Sequence, residues 1–191
     1  MTDLSIVIPA QNKFEAFERT LLSVLERSPK RCEIIVVVDN AYADPYDLDG
    51  EVRFVRVDDG ATLASSLNAG LIASRGEFVH VLAAGATATD DWAQNALRRF
   101  ENSQVAAVAS RIVYADDPVH VHSAGIHYCR GGGLKFIGHG DATEHCMSLL
   151  ETIDSPHALA GFYRRTALGQ LRELFCTRLG GLSSTVDLGL R

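Results

Sequence analysis

The sequence is poor in the features that would narrow its function at once. Its 191 residues carry 18 lysines and arginines against 24 aspartates and glutamates, a formal net charge of −6. The basic face of a general nucleic-acid binder is therefore missing. No apolar run approaches the roughly 20 residues that cross a bilayer, so no transmembrane segment is expected. Met1-Thr2-Asp3 has no basic region and runs straight into strand-like residues, so no signal peptide is expected and the implied setting is cytoplasmic. Cys32, Cys129, Cys146 and Cys176 are widely spaced with no Cys-x-x-Cys pair. In a reducing setting they are expected to be free and buried rather than bridged. Internal repeats and low-complexity stretches are absent too.

The most telling shortage is local. Arg75-Gly76-Glu77-Phe78-Val79-His80-Val81-Leu82 reads as a turn and a buried strand. A small-residue loop follows and opens onto a helix near Asp91-Trp92, with Gly76 and Gly85 as breakers. In an open α/β sheet, the loop at a strand's carboxyl end is where ligands bind. Yet Ala83, Ala84, Gly85 and Ala86 bring no ionisable side chain.

What is present is a core. A hydrophobic fraction of 47% and a charged fraction of 22% suit one globular domain of this length. Leu4–Ile8 is a β-branched strand stopped by Pro9, and Phe14–Arg27 follows with Phe14, Phe17, Leu21, Leu22, Val24 and Leu25 on one helical face. Glu33–Val38 is a continuous apolar run, as in a parallel strand covered on both sides, and it ends in Asp39-Asn40. Ala41–Gly50 is loop and Val52–Val57 a third strand. Thr62–Ser74 is a helix with Leu63, Leu67, Leu71 and Ile72 toward the sheet. The spacing predicts a further helix over Asp90–Phe100, with Asp90 and Asp91 in its first turn, and a strand within Val105–Ser110. This alternation predicts an α/β fold: a doubly wound, mostly parallel sheet built from residues 4–110.

After residue 111 the pattern turns to hairpins and long loops, a small antiparallel extension, with a strand over His157–Tyr163 and a helix over Arg165–Leu174. Val186–Arg191 reads as the opening of a helix too short to bury its apolar side, implying a longer natural chain or a covering subunit. His120, His122, His127, His139, His145 and His157 crowd into this part with Cys129 and Cys146. His120-x-His122 on a strand would aim both rings one way, so a zinc site is one reading and scattered loop histidines the other. Gly131–Gly133 reads as a hairpin tip, with backbone contact to a phosphate as the alternative.

Five segments in order carry a resemblance: Ser5–Asn12, Ile35–Asn40, Asn68–Phe78, Asp91-Trp92 and Val186–Arg191. Together they resemble the family 2 glycosyltransferases, inverting enzymes with a GT-A nucleotide-diphospho-sugar-binding fold. Tyr114–Gly140, with His122-Ser123-Ala124-Gly125, is similar to the subset acting on bacterial polysaccharide or rhamnose-containing glycans. The resemblance implies one domain, with residues 1–110 binding a nucleotide-sugar and 111–191 on the acceptor side. It places the nucleoside on Pro9, Ala10, Gln11 and Asn12, with Gln11 where the family has an aromatic. Asp39 matches the acid that contacts the base, Asn40 stands for its acidic neighbour, and Leu67 replaces a common arginine. Ala83, Ala84 and Gly85 fall at the donor's diphosphate.

The family's Asp-x-Asp holds Mg²⁺ or Mn²⁺, but Ala83 and Gly85 at those places offer no oxygen donor. Its general base belongs to a Glu-Asp pair, here Ser184 and Thr185, leaving Asp187 as the nearest candidate. One preorganised contact to the leaving group is worth about 10²–10³ in rate, and a general base about 10²–10⁴. Two functions are therefore implied. One is transfer of a sugar from a nucleotide-sugar to a glycan or other acceptor. The other is a non-catalytic nucleotide-sugar-binding module, as a homodimer or beside a partner glycosyltransferase.

Overall fold

The computed structural model describes residues 3–10, 14–146 and 152–191. The chain runs β1 (Leu4–Pro9), α1 (Phe14–Arg27), β2 (Cys32–Val38), β3 (Val52–Arg56), α2 (Leu63–Ala73), β4 (Phe78–Leu82), α3 (Trp92–Arg99) and β5 (Ala107–Ala109). It continues through β6 (Ile112–Val113), β7 (Val121–Ser123), β8 (Ile126–Tyr128), β9 (Leu134–Phe136), α4 (Thr143–Cys146), β10 (Ala160–Arg164), α5 (Arg165–Leu168) and α6 (Gly181–Leu190).

Alternation along β1 explains the layers. Leu4, Ile6 and Ile8 face one side with Phe17, Leu21 and Val24 of α1, while Val7 faces the other with Leu67 and Leu71 of α2. Both faces are apolar, as a sheet covered on two sides requires. Each fully buried leucine or phenylalanine in these layers is worth about 1.5–3 kcal/mol. The sheet order is β3-β2-β1-β4-β10-β5, and β1 pairs in parallel with both β2 and β4. The chain thus moves outward from β1 on one side and then crosses to the other, placing a topological switch point between β1 and β4. Gly76 marks the entry to β4, where a Cβ would stand 2.6 Å from the backbone nitrogen of Ser5.

The structure corrects several expectations. Residues 4–110 do not complete the sheet: β10 enters between β4 and β5, antiparallel to both. Leu22 is 58% exposed and Ile72 is 79% exposed. On α1 the buried stripe instead includes Thr20 and Ser23, whose hydroxyls donate to Ala16 O and Thr20 O. The side chain of Phe14 lies outside the described residues. Asp90 and Asp91 precede α3 rather than sitting in its first turn. Asp91 has φ 56° and makes no side-chain cap, while Asp90 pairs with Arg27 at 3.2 Å. The strand expected from His157 starts at Ala160, and the helix after Arg165 stops at Leu168, though Leu171 and Leu174 still pack on the core.

The last helix begins earlier than expected, at Gly181, and buries Ser184, Thr185, Val186 and Leu188. Asn68 holds the preceding loop to α2, donating to Phe175 O at 2.8 Å and accepting from Phe175 N at 2.9 Å. All four cysteines are free; Cys146 and Cys176 are buried as expected, whereas Cys32 is half-buried and Cys129 exposed. The hairpin reading of residues 112–136 holds: β6 pairs with β7, and β8 with β9 around Gly131–Gly133. No described helix is long and apolar enough to cross a membrane.

Candidate functional site

The carboxyl ends of β1 and β2, with the turn after β3, enclose a small open cleft lined by Ala10, Val38, Asp39, Asp58, Gly60 and Ser66. Ala10 is buried and donates its N–H to Val37 O at 2.8 Å, which fixes the exit of β1. Asp39 closes a turn: its Oδ1 accepts the N–H groups of Ala41 and Tyr42 at 3.1 and 3.0 Å. Arg56 clamps the same turn, donating to Asp39 O and Tyr42 O at 2.8 and 2.7 Å. Asp59 accepts from Asn40 N at 3.3 Å, so the ends of β2 and β3 are tied together. Gly60, at φ 79°, leaves the cleft floor open, with nothing within 4 Å of where a Cβ would stand.

Of the sequence-derived site residues, Pro9, Ala10, Asp39 and Asn40 meet at this end of the sheet, with Asn40 exposed. Gln11 and Asn12 lie outside the described residues. Asp58, Asp59, Gly60 and Ser66 also belong to this region and were not expected. Only the polar run Asp58-Asp59-Gly60 closing the third strand could have signalled them.

The loop after β4 is held by backbone bonds. Ala83 donates to Leu159 O at 2.8 Å and Ala86 to Ala83 O at 3.1 Å. Buried hydroxyls of α1 take two more: Gly85 N–H reaches Thr20 Oγ1 at 2.9 Å and Ala88 N–H reaches Ser23 Oγ at 3.0 Å. Gly85 has φ 101°, a backbone that disfavours any side chain there. Among the described residues, no group of three or more His, Cys, Asp or Glu side chains is placed to hold a metal ion. The residues at Ala83–Gly85 therefore do not fit the Mg²⁺ or Mn²⁺ of the family resemblance.

The base positions are equally altered. Ser184 and Thr185 are 3% and 2% exposed. Ser184 Oγ is buried without a hydrogen-bond partner, and Thr185 O accepts from Ser155 Oγ at 2.9 Å. Asp187 is half-buried and paired with Arg191 at 2.9 Å. That guanidinium also donates to Glu173 O and Leu174 O, so Asp187 stands within a structural clamp.

The histidines divide. His120 pairs with Asp117 at 2.7 Å and His127 with Asp154 at 3.4 Å. The rings of His139 and His157 meet that of His122 edge-on, with centroids 5.9 and 5.2 Å away. This arrangement does not gather their nitrogens on one point, so the zinc reading is not supported among the described residues. Burial, and then His139, hold the His122 imidazole below its ordinary range. Burial, and then His122, push His157 down to about 4. Both are neutral at pH 7.

Two of the solved structures that share this architecture show how far the likeness extends. A mannosyltransferase from Pyrobaculum calidifontis, in complex with GDP-Man and Mn²⁺, superposes with a TM-score of 0.63 at 19% identity, over 96% of this chain and 50% of its own. TarS 1–349 of S. aureus superposes with a TM-score of 0.67 at 12% identity, over 99% and 55% respectively. At these identities the likeness shows the GT-A fold, and the chain spans about half the length of these two structures. No curated protein matches the sequence. The family model described as Glycosyl transferase family 2 matches residues 5–169, most of the chain, and the chain belongs to that family.

Proposed function

We propose that the chain binds a nucleotide-diphospho-sugar with its nucleoside in the cleft of Ala10, Asp39 and Asp58, and passes the sugar with inversion to a glycan or other hydroxyl-bearing acceptor. The carrying observation is the cleft itself, at the carboxyl ends of the strands beside the switch point of a family 2 domain. Asp39 spends Oδ1 on its own turn, so Oδ2 is the atom left to accept from a base N–H or a ribose hydroxyl. The complex of the mannosyltransferase neighbour with GDP-Man supports the donor class. Inversion follows from single displacement: the acceptor oxygen attacks the anomeric carbon as its bond to the diphosphate breaks, and the electron pair leaves with the nucleotide. A cytoplasmic setting accords with four free thiols.

Titration calorimetry with UDP-, GDP- and dTDP-sugars, with and without Mn²⁺, tests the reading. Binding of one class is expected, with an affinity indifferent to Mn²⁺. Asp39→Asn retains an oxygen for the turn but replaces the ligand-side acceptor with a donor. It should weaken binding by about 1.5–3 kcal/mol, the worth of a hydrogen bond to a charged group. Failure to bind any of the three donors would overturn the reading.

A second reading keeps the cleft and drops the reaction: a nucleotide-sugar-binding module, self-paired or partnered with an active glycosyltransferase. The absence of acids at Ala83, Gly85, Ser184 and Thr185 together favours it. Donor binding without nucleotide release, and acceleration of the partner enzyme on mixing, are its expected results.

A further inference from the structure

Between the two positions that lack acids runs a segment that carries a histidine. Ser155 donates to the carbonyl of Thr185 in α6, and Leu159 accepts the N–H of Ala83 at the end of β4. Residues 155–159 therefore bridge the altered base position and the altered metal loop, with His157 in the middle. The His157 ring lies 5.2 Å from that of His122 and 5.0 Å from that of Phe136. His122 in turn meets Tyr114 at 5.2 Å and His139 at 5.9 Å. Aromatic and imidazole faces of this kind give a sugar ring an apolar surface edged with polar atoms.

Backbone groups fix two of the tautomers. Leu159 donates its N–H to His157 Nδ1 at 3.1 Å, so the single proton of neutral His157 is on Nε2. His139 Nδ1 lies 2.9 Å from His122 O, and a carbonyl only accepts. In its neutral form His139 therefore carries its proton on Nδ1 and a lone pair on Nε2. It is also the exposed member of the trio. An imidazole whose Nδ1–H is held by an acceptor, with Nε2 bare, is oriented as a general base.

We infer that the surface of Tyr114, His122, Phe136 and His139, with His157 buried beneath it, is the acceptor site of this chain, binding a sugar hydroxyl whose proton passes to His139 Nε2. The inference rests on the transferase reading above. In the step, the acceptor O–H bond breaks and its proton goes to His139. The oxygen bonds to the anomeric carbon, and the carbon–oxygen bond to the diphosphate breaks with its electron pair leaving on the nucleotide. The imidazolium then returns its proton to water, which its exposure permits. No carboxylate is needed at Thr185 for this chemistry.

The test uses the full chain with GDP-mannose and UDP-glucose, water serving as acceptor, and follows released GDP or UDP beside calorimetric donor binding. His139→Asn should bind donor as the wild type does and release nucleotide about 10²–10⁴-fold more slowly. Free imidazole should restore His139→Ala at least about tenfold within that range, a rescue that a structural role would not give. Thermal midpoints equal to that of the wild type establish that both variants are folded. Undiminished release by His139→Asn, absence of imidazole rescue, or a wild type that binds donor but releases no nucleotide would each overturn the inference while sparing the donor site. Absence of donor binding would instead overturn the reading beneath it.

Discussion

His80 shows what one buried titratable residue does to this fold. It sits in β4, is 1% exposed, and stacks on Phe162 with ring centroids 3.9 Å apart and against Trp92 at 4.7 Å. Its Nδ1–H donates to Gly161 O at 3.1 Å. Burial lowers its pKa to about 3, against a smaller opposing effect of that hydrogen bond. The folded chain thus keeps His80 neutral where the unfolded chain takes up a proton near 6.5. Between those values the unfolded state binds more protons, so stability rises with pH through the window and is lost as pH falls from 6.5 toward 3. His157, pushed down to about 4, acts with the same sign. His80→Phe keeps a ring in the stack and removes one proton site. Its urea midpoint should fall less between pH 7 and pH 4.5 than that of the wild type, and equal falls would show that His80 is not the source. Gly70 makes a purely steric case. A Cβ there would run into Val7 Cγ1 and stand 3.1 Å from Val37 Cγ2, both in strands that cannot yield easily. Gly70→Ala should cost about 1–3 kcal/mol by overpacking, read as a lower denaturant midpoint with an unchanged slope.

At the scale of elements, α1 does more than cover the sheet. Thr20 is fully buried, and its hydroxyl donates a hydrogen bond to Ala16 O while accepting from Gly85 N–H, so the helix holds the loop after β4 in place. Thr20→Val conserves shape and leaves the Gly85 amide without its acceptor. A loss of about 1–3 kcal/mol follows, together with faster hydrogen exchange at the Gly85 amide than at its neighbours. Uniform exchange across the loop would refute the pin. This tie was not legible in the sequence, because a hydrophobic-face reading of α1 ranks Leu22 above Thr20 and Ser23. What was legible came from short-range periodicity: β1 through β4 with α1 and α2 are where the apolar spacing put them. The insertion of β10 between β4 and β5 depends on pairing across some 80 residues, which no local pattern encodes. α6 begins at Gly181 against weak local preference because Leu188 joins the buried layer with Leu67 and Leu71. The same division runs through the candidate sites. Asp39 could be read from its place at a strand end, whereas His122, His139 and His157 come together only through the folding of the antiparallel extension.

At the scale of the whole molecule, the donor cleft joins β1, β2, β3 and the start of α2, elements that belong to both faces of the sheet. A ligand seated there binds only the folded chain, and so stabilises it by RT ln(1 + [L]/Kd), about 2.7 kcal/mol at a hundredfold excess over Kd. A divalent cation faces a different molecule. The carboxylates of the cleft are committed in part, Asp39 to its own turn and Asp59 to Asn40 N. Ala83, Ala84, Gly85 and Ala86, the first residues after β4, carry no side-chain oxygen. Mn²⁺ alone should therefore leave the thermal midpoint unchanged, and the correct nucleotide-sugar should raise it equally with Mn²⁺ or with EDTA present. For a domain of this size a stabilisation of 2.7 kcal/mol corresponds to roughly 5–11 °C, well within the reach of a melting curve. A midpoint that rises with Mn²⁺ alone would show that side chains of this chain gather around a cation when it is supplied. A rise with nucleotide-sugar that disappears on chelation would return the chain to the metal-dependent chemistry of its family, and would show that the backbone-held loop at Ala83–Ala86 opens to admit it.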